Sequence, residues 1–213
     1  GALIIAENYP LDQIIEITGE AAEGPGNGSG QLKAGDKFLM LVLFKTMLVE
    51  SNNSAALALA QLKGADNFVA LMNQRAKDLN LETMLFVNPT GLDAYNSPEI
   101  NRSSARDLAK LTAFVLREEP HIFEISLLKE FELRDVSGAL NHTAQNTNAL
   151  LEKMPLIVGG KTGETPKSGG CLLLIVRAPE NNGYLISVII NSPDRFGEME
   201  KLINWTGSSY QWQ

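Results

Sequence analysis

Apolar and polar positions follow two rhythms along this chain, helical through its front and middle and extended towards its end. Ala2 to Asn8 is an apolar stretch stopped by Asn8 and Pro10, which predicts the end of a helix. Leu11 to Thr18, with Ile14, Ile15 and Ile17, predicts a short extended segment. Phe38 to Val49 is apolar on nearly every side (Leu39, Met40, Val42, Leu43, Met47, Leu48) and predicts one buried helix. Glu50-Ser51-Asn52-Asn53-Ser54 interrupts it, and Ala55 to Leu62 resumes it with the alanine and leucine content of a tightly packed helix. Asn53 or Ser54 is the expected N-cap of that second piece. Asp66 to Leu79 is amphipathic and helical, Met84 to Val87 a short strand or extended piece, and Asn88-Pro89-Thr90-Gly91-Leu92 a turn. Ser103 or Ser104 caps a helix over Ala105 to Leu116, a shorter helix covers Pro120 to Leu128, and Phe131 to Val136 reads as a strand. His142 falls in a polar segment, Asn141 to Asn148.

The last part of the chain is the clearest β region. Leu156 to Thr162, Cys171 to Ala178 and Tyr184 to Asn191 are apolar, partly β-branched runs. They are separated by Pro166-Lys167-Ser168-Gly169-Gly170 and by Asn181-Asn182-Gly183, which predicts an antiparallel meander. An amphipathic helix, Gly197 to Tyr210, should cover one face through Met199, Leu202, Ile203 and Trp205. The fold class expected is α+β, an antiparallel sheet with flanking helices plus a mainly helical lobe. One domain of two lobes is expected, helical over about 38–150 and sheet with helix over about 155–213.

Composition narrows the function classes. The 213 residues are 44% hydrophobic and 20% charged, enough for a substantial core. A net charge of -7 with no basic face argues against nucleic acid as a partner. The single cysteine, Cys171, excludes an intrachain disulfide and a multi-cysteine zinc site, and its apolar run makes it a buried small residue. No metal and no cofactor are expected. Glu23 to Gly30 is rich in glycine but lacks a following Gly-Lys-Ser or Gly-Lys-Thr, so it reads as a surface loop rather than a phosphate cradle. No apolar run reaches the ~18 residues of a membrane span. Gly1 to Asn8 has neither a basic leader region nor an initiating methionine.

Candidate chemistry sits where Leu156-Ile157-Val158-Gly159-Gly160 runs into Lys161-Thr162-Gly163-Glu164. A cation, a hydroxyl and a bare backbone at a strand end suit a carboxylate, which the ammonium and hydroxyl can bind while a substrate lies against Gly163. Ser51 and Asn53, presented between two buried helices, are a second polar group. Ser-x-Asn in a helix interruption followed by Lys-Thr-Gly on a strand is far more specific than either motif alone.

With these motifs the chain resembles the penicillin-recognising serine acyltransferases, and within them the D-alanyl-D-alanine carboxypeptidases, the low-molecular-mass penicillin-binding proteins. Ser51-Asn52-Asn53 matches the family's second motif and Gly160-Lys161-Thr162-Gly163 its third. Further matches are Phe68 to Asn73, Phe86 to Leu92, Ser104 to Ala109, Asn146 to Leu151 and Asp194-Arg195-Phe196, so the likeness covers nearly the whole chain. The family's first motif, Ser-x-x-Lys, does not precede Ser51. The one such spacing, Ser126-Leu127-Leu128-Lys129, lies between the other two motifs and reads as an ordinary surface pair. Gly1 to Asn8 resembles the continuation of the family's nucleophile helix. The expectation is therefore that the nucleophile lies just upstream of Gly1, that the residues given are inactive alone, and that the fold is incomplete at its N-terminus, with a short sheet and an unpaired edge.

The resemblance implies a β-lactamase/transpeptidase-like fold and acyl transfer on peptidoglycan stem peptides ending in D-Ala-D-Ala, outside the cytoplasmic membrane, with β-lactam antibiotics as inhibitors. On it, Ser51 relays a proton to the leaving amine and Asn53 bonds the substrate amide. Lys161 and Thr162 bind the terminal carboxylate, with Arg195 a second cation, and the Glu164 backbone N–H is an oxyanion donor beside Gly163. Any membrane anchor would lie outside these residues. Two other readings stay open, a non-catalytic relative that binds peptidoglycan and a β-lactamase-like hydrolase. The Asn-Pro-Thr-Gly-Leu and Asn-Thr-Asn stretches favour the carboxypeptidases over the latter.

Overall fold

Phe38, Phe44, Phe68, Leu43 and Leu59 are among the largest side chains removed from solvent, and they share one core. That core is built from α1 (Ala2–Asn8), the strand pair β1 (Ile14–Glu16) and β2 (Lys37–Leu39), and the helices α3 (Met40–Val49), α4 (Asn53–Gln61) and α5 (Ala65–Asp78). The computed structural model describes residues 1–24, 32–93, 99–179 and 183–210. A short helix, α2 (Gly19–Glu23), is capped by Thr18 Oγ1, which accepts from Ala21 N at 3.0 Å. The glycine-rich stretch that follows, residues 25–31, lies outside the described residues, as does most of the turn at Asn181-Asn182-Gly183.

Phe38 and Leu39 leave the predicted helix to form β2, because Phe38 pairs with Ile15 and Leu39 with Ile14 across an antiparallel ladder. Pairing satisfies their backbone groups and still buries Phe38 completely. No residue of α3 is exposed, as its all-round apolar composition predicts. The cap of α4 is neither Asn53 nor Ser54 but Asn52, whose Oδ1 accepts from Ala55 N at 2.8 Å. Of the strand or extended piece expected over Met84 to Val87, no full strand forms; Leu85 makes an isolated antiparallel bridge with Arg102.

Side chains tie that segment instead. Asn73 of α5 donates from Nδ2 to Phe86 O and accepts at Oδ1 from Phe86 N. Asn101 Oδ1 accepts from Val87 N and Asn88 N, while Asn88 Oδ1 accepts from Gly91 N inside the turn. At the start of α6 (Ala105–Glu118), Ser104 caps the helix, and the buried Asp107 accepts from Thr83 Oγ1 and Thr83 N. The Thr83 hydroxyl, followed by its amide, holds the Asp107 carboxyl below its ordinary pKa.

After α7 (His121–Ile125), β3 (Glu130–Arg134) pairs with β4 (Leu140–Gln145). His142, in the polar segment Asn141 to Asn148, is therefore on a strand, with Leu133 as its partner in register. The main sheet is antiparallel, β5 (Ile157–Thr165), β6 (Gly169–Arg177) and β7 (Tyr184–Ser192) in that order. Alternation along β6 divides its apolar residues between two faces. Leu172, Leu174 and Val176 face α8 (Arg195–Ser209) through Met199 and Ile203, whereas Ile175 joins the helical core. Cys171 is only half-buried, at the more open end of β6.

The glycines before Lys161 serve packing. An added Cβ on Gly159 would stand 2.6 Å from Phe123 Cβ, and one on Gly160 would stand 2.7 Å from Leu173 O. Gly163 is different, since its nearest atom would be Cys171 Cβ at 3.9 Å. Gly159→Ala is expected to destabilise the fold by about 1–3 kcal/mol through overpacking against α7, and Gly163→Ala to stay within about 0.5 kcal/mol, both checked by denaturant unfolding.

Candidate functional site

The helix interruption and the end of β5 meet. Lys161 Nζ donates to Ser51 Oγ at 2.7 Å and to Thr162 O at 2.8 Å. The two residues line a cleft of about 200 Å³ with Asn52, Asn53, Met47, Pro89 and Thr90. Four stretches separated in sequence thus form its walls: Gly1 and Ala2 at the start of α1, the end of α3 with the turn into α4, the Asn-Pro-Thr-Gly turn and β5. Asn53 is the first residue of α4, so the Asn52 cap sets both its position and that of Ser51 before it. Ser51 has φ of 60°, the left-handed region that residues with a Cβ rarely occupy.

Lys161 is largely buried, and burial pushes its pKa from 10.5 down to about 8, with the Arg195 guanidinium adding a smaller push in the same direction. The group is thereby a proton donor near neutrality that can lose its proton without extreme pH. Thr162 points to the other side of the strand, as alternation requires, and is buried with its Oγ1 2.5 Å from Thr147 Oγ1. Gly163 O accepts from Arg195 Nη1 at 2.9 Å, and the same nitrogen donates to Glu164 Oε2 at 2.7 Å. Arg195 opens α8 and stacks over Phe196, its guanidinium 5.0 Å from the ring centre. At the next position, Thr165 Oγ1 donates to Asp93 Oδ1, and Asp93 Oδ2 accepts from Lys167 N, which fastens the β5–β6 hairpin to the loop after the Asn-Pro-Thr-Gly turn.

The structure therefore brings Ser51, Asn53 and Lys161 to one cleft and sets Gly163, Glu164 and Arg195 in one contact group along the same strand end. Thr162 lies between the two groups with its hydroxyl already engaged by Thr147. That threonine was missed in the sequence, although it is the middle residue of Asn-Thr-Asn. Glu50, whose carboxylate meets His142, was missed as well. The Ser126–Lys129 pair is not a surface pair. Ser126 is buried, its Oγ donating to Phe123 O at 2.6 Å and accepting from Gly160 N at 3.0 Å, while exposed Lys129 reaches Glu152. Helix α7 ends at Ile125, so the two side chains do not share a helical face. No cluster of histidine, cysteine, aspartate and glutamate able to hold a metal occurs among the described residues.

A family profile described as D-alanyl-D-alanine carboxypeptidase matches residues 6–194. The carboxypeptidase DacD of Salmonella typhimurium is 35% identical over 180 residues, 82% of this chain and 43% of that protein. DacC of Escherichia coli is 32% identical over 217 residues, 96% of this chain and 51% of its own length. The chain thus spans about half, or less, of the length of these curated relatives. Among solved structures, the Streptomyces K15 DD-transpeptidase superposes with a TM-score of 0.84 at 25% identity, over 96% of this chain and 83% of that one. A D-alanyl-D-alanine carboxypeptidase from Mycobacterium tuberculosis superposes at 0.86 with 22% identity, over 98% and 79%, and carries the same fold.

The lowered pKa of Lys161 ties stability to pH. Between about 8 and 10.5 the unfolded chain holds a proton that the fold releases, so this group adds stability as pH rises through that window, while its burial penalty is fully present below it. Unfolding measured at successive pH values should show the protein gaining up to about 3 kcal/mol relative to Lys161→Met from neutral pH to the top of the window. A constant difference between the two would mean that the ammonium is not desolvated in the cleft.

Proposed function

The chain belongs to the D-alanyl-D-alanine carboxypeptidase family, and from that premise we propose that the protein is a serine-type D-Ala-D-Ala carboxypeptidase acting on peptidoglycan stem peptides through an acyl-enzyme. The observation that carries this reading is the 2.7 Å contact between Lys161 Nζ and Ser51 Oγ inside a cleft. In the reaction, a serine oxygen adds to the penultimate carbonyl, the peptide C–N bond breaks, and D-alanine leaves once its nitrogen is protonated. Water then cleaves the ester and restores the serine.

The attacking serine is neither Ser51 nor Ser126. Ser126 Oγ is buried and bonded on both sides, and Ser51 is assigned the proton transfer. Protonated Lys161 donates to Ser51 Oγ, which leaves the Ser51 hydroxyl proton free to pass to the departing amine and the lysine to replace it. Asn53, at the open start of α4, hydrogen-bonds the substrate amide. The terminal carboxylate is drawn by Lys161 and by Arg195, which exchanges its Glu164 partner for the substrate, and Thr162 joins them only by giving up its hydrogen bond to Thr147. The Glu164 backbone N–H faces the developing oxyanion, and Gly163 leaves room for the peptide backbone beside the strand. A β-lactam presents a strained amide next to a carboxylate in the same arrangement, so it competes for these groups.

Peptidoglycan as substrate places the protein outside the cytoplasmic membrane. No helix among the described residues is long and apolar enough to cross a membrane.

In the intact protein, Ser51→Ala and Lys161→Ala are each expected to lower kcat/KM for D-alanine release from a D-Ala-D-Ala peptide by about 10²–10⁴-fold. Unchanged activity in both would remove the cleft from the mechanism. Incubation with a fluorescent penicillin followed by peptide mapping should place no adduct on Ser51 or Ser126. An adduct on Ser51 would make it the nucleophile and overturn its role as proton carrier. The alkaline limb of kcat/KM should fall near the Lys161 pKa of about 8. Arg195→Gln, by removing a neighbouring positive charge, should move that limb to higher pH as well as raise KM.

A further inference from the structure

Ser51 is one of three described non-glycine residues with positive φ, and the other two are asparagines, which tolerate that region far better. Something must hold a serine there. The side chains on either side of it reach across to each other. Asn52 Nδ2 donates to Glu50 Oε1 at 2.6 Å, while Asn52 Oδ1 caps α4 at Ala55 N. The second oxygen of Glu50 meets His142 Nε2 at 2.8 Å, and His142 Nδ1 lies 2.7 Å from Asn141 Oδ1. A backbone bond from Thr147 N to Val49 O ties the same corner to the segment after β4.

The Glu50 side chain is 5% exposed and stands at the C-terminal end of α3, where the helix carbonyls disfavour an anion. A carboxylate in so unfavourable a place is retained by partners on both oxygens, one from Asn52, which follows Ser51 directly in the chain, and one from His142 on β4. With Glu50 oxygens fixed by Asn52 and His142, the peptide units before and after Ser51 are anchored to α4 and to β4. Its Oγ is left to meet Lys161 Nζ.

We infer that Glu50, Asn52 and His142 are positioning residues for the acyl-transfer site: they form a buried strut that holds Ser51 in its left-handed conformation with Oγ within hydrogen-bonding reach of Lys161. This rests on the proton-transfer role proposed above for Ser51. None of the three touches the substrate. Their effect runs through the placement of one hydroxyl, where a displacement of about 1 Å costs on the order of 10²-fold in rate.

A double-mutant cycle on the intact protein tests the strut, with D-alanine release from a D-Ala-D-Ala peptide as the readout and thermal unfolding recorded alongside. Glu50→Ala should lower kcat by about 10–100-fold with a much smaller change in KM. In a Ser51→Ala background the same substitution should cost less than about 2-fold, because the hydroxyl it positions is gone. Glu50→Gln and His142→Gln keep the volume and part of the hydrogen bonding; each should lose about 3–10-fold, and each can carry the cycle if Glu50→Ala does not fold. Equal losses in both backgrounds, or no loss with Ser51 present, would overturn the inference while leaving Ser51 in place. Full activity of Ser51→Ala itself would instead overturn the role of Ser51, and the strut with it.

Discussion

An ammonium group buried between a helix break and a strand end is the constraint around which this molecule is arranged. Lys161 loses hydration in the cleft, which lowers its pKa to about 8, and among the described residues it donates hydrogen bonds to Ser51 Oγ and the carbonyl of Thr162. Both acceptors must be held still for that exchange to work. Hence the region around the lysine is over-determined. Gly159 and Gly160 let β5 press on Phe123 and on β6, Ser126 Oγ accepts from Gly160 N, and Thr147 meets Thr162 from behind. On the facing side, an asparagine cap and a buried carboxylate fix the turn from α3 to α4.

Much of the cleft's other wall has no regular secondary structure, and asparagine side chains substitute for a sheet there. Asn73, Asn88 and Asn101 together bond the backbone N–H groups of Phe86, Val87, Asn88 and Gly91 and the carbonyl of Phe86, and Asn146 donates to Ser126 O and Leu128 O. An amide side chain offers both a donor and an acceptor, so it can stand in for a neighbouring peptide unit where no strand runs. This gives a physical content to several of the family-like motifs. Phe68 to Asn73, Ser104 to Ala109 and Asn146 to Leu151 supply clamps and caps that shape the cleft, rather than groups that enter it.

Periodic segments were legible from residue order, and the segments read less well were those whose state depends on a distant partner. The helices over Ala65–Asp78 and Ala105–Glu118 and the meander of β5, β6 and β7 follow from apolar spacing, and a serine cap at the second of these helices was foreseen at Ser103 or Ser104. Phe38 and Leu39 look helical beside Met40, and only pairing with Ile15 and Ile14 draws them into a strand. His142 sits in a run of polar residues without alternation, yet β3 makes it a strand by supplying the ladder. Met84 to Val87 has strand composition and no neighbour to pair with beyond one bridge, so it stays irregular.

The sequence by itself determined the family, the α+β class and the two motifs, since Ser-x-Asn and Lys-Thr-Gly are local patterns that keep their identity wherever the chain folds. Tertiary structure alone decided what those motifs face. It set Ser51 against Lys161 across 110 residues of chain, gave Asn52 the cap expected of Asn53 or Ser54, and brought Glu50, His142 and Thr147 to a site that no spacing announced. The reason is physical. A motif keeps its identity through residues within a few positions of one another, whereas a paired strand needs a distant partner and a buried charge is matched to its partners by desolvation, which exists only once the chain has closed around them.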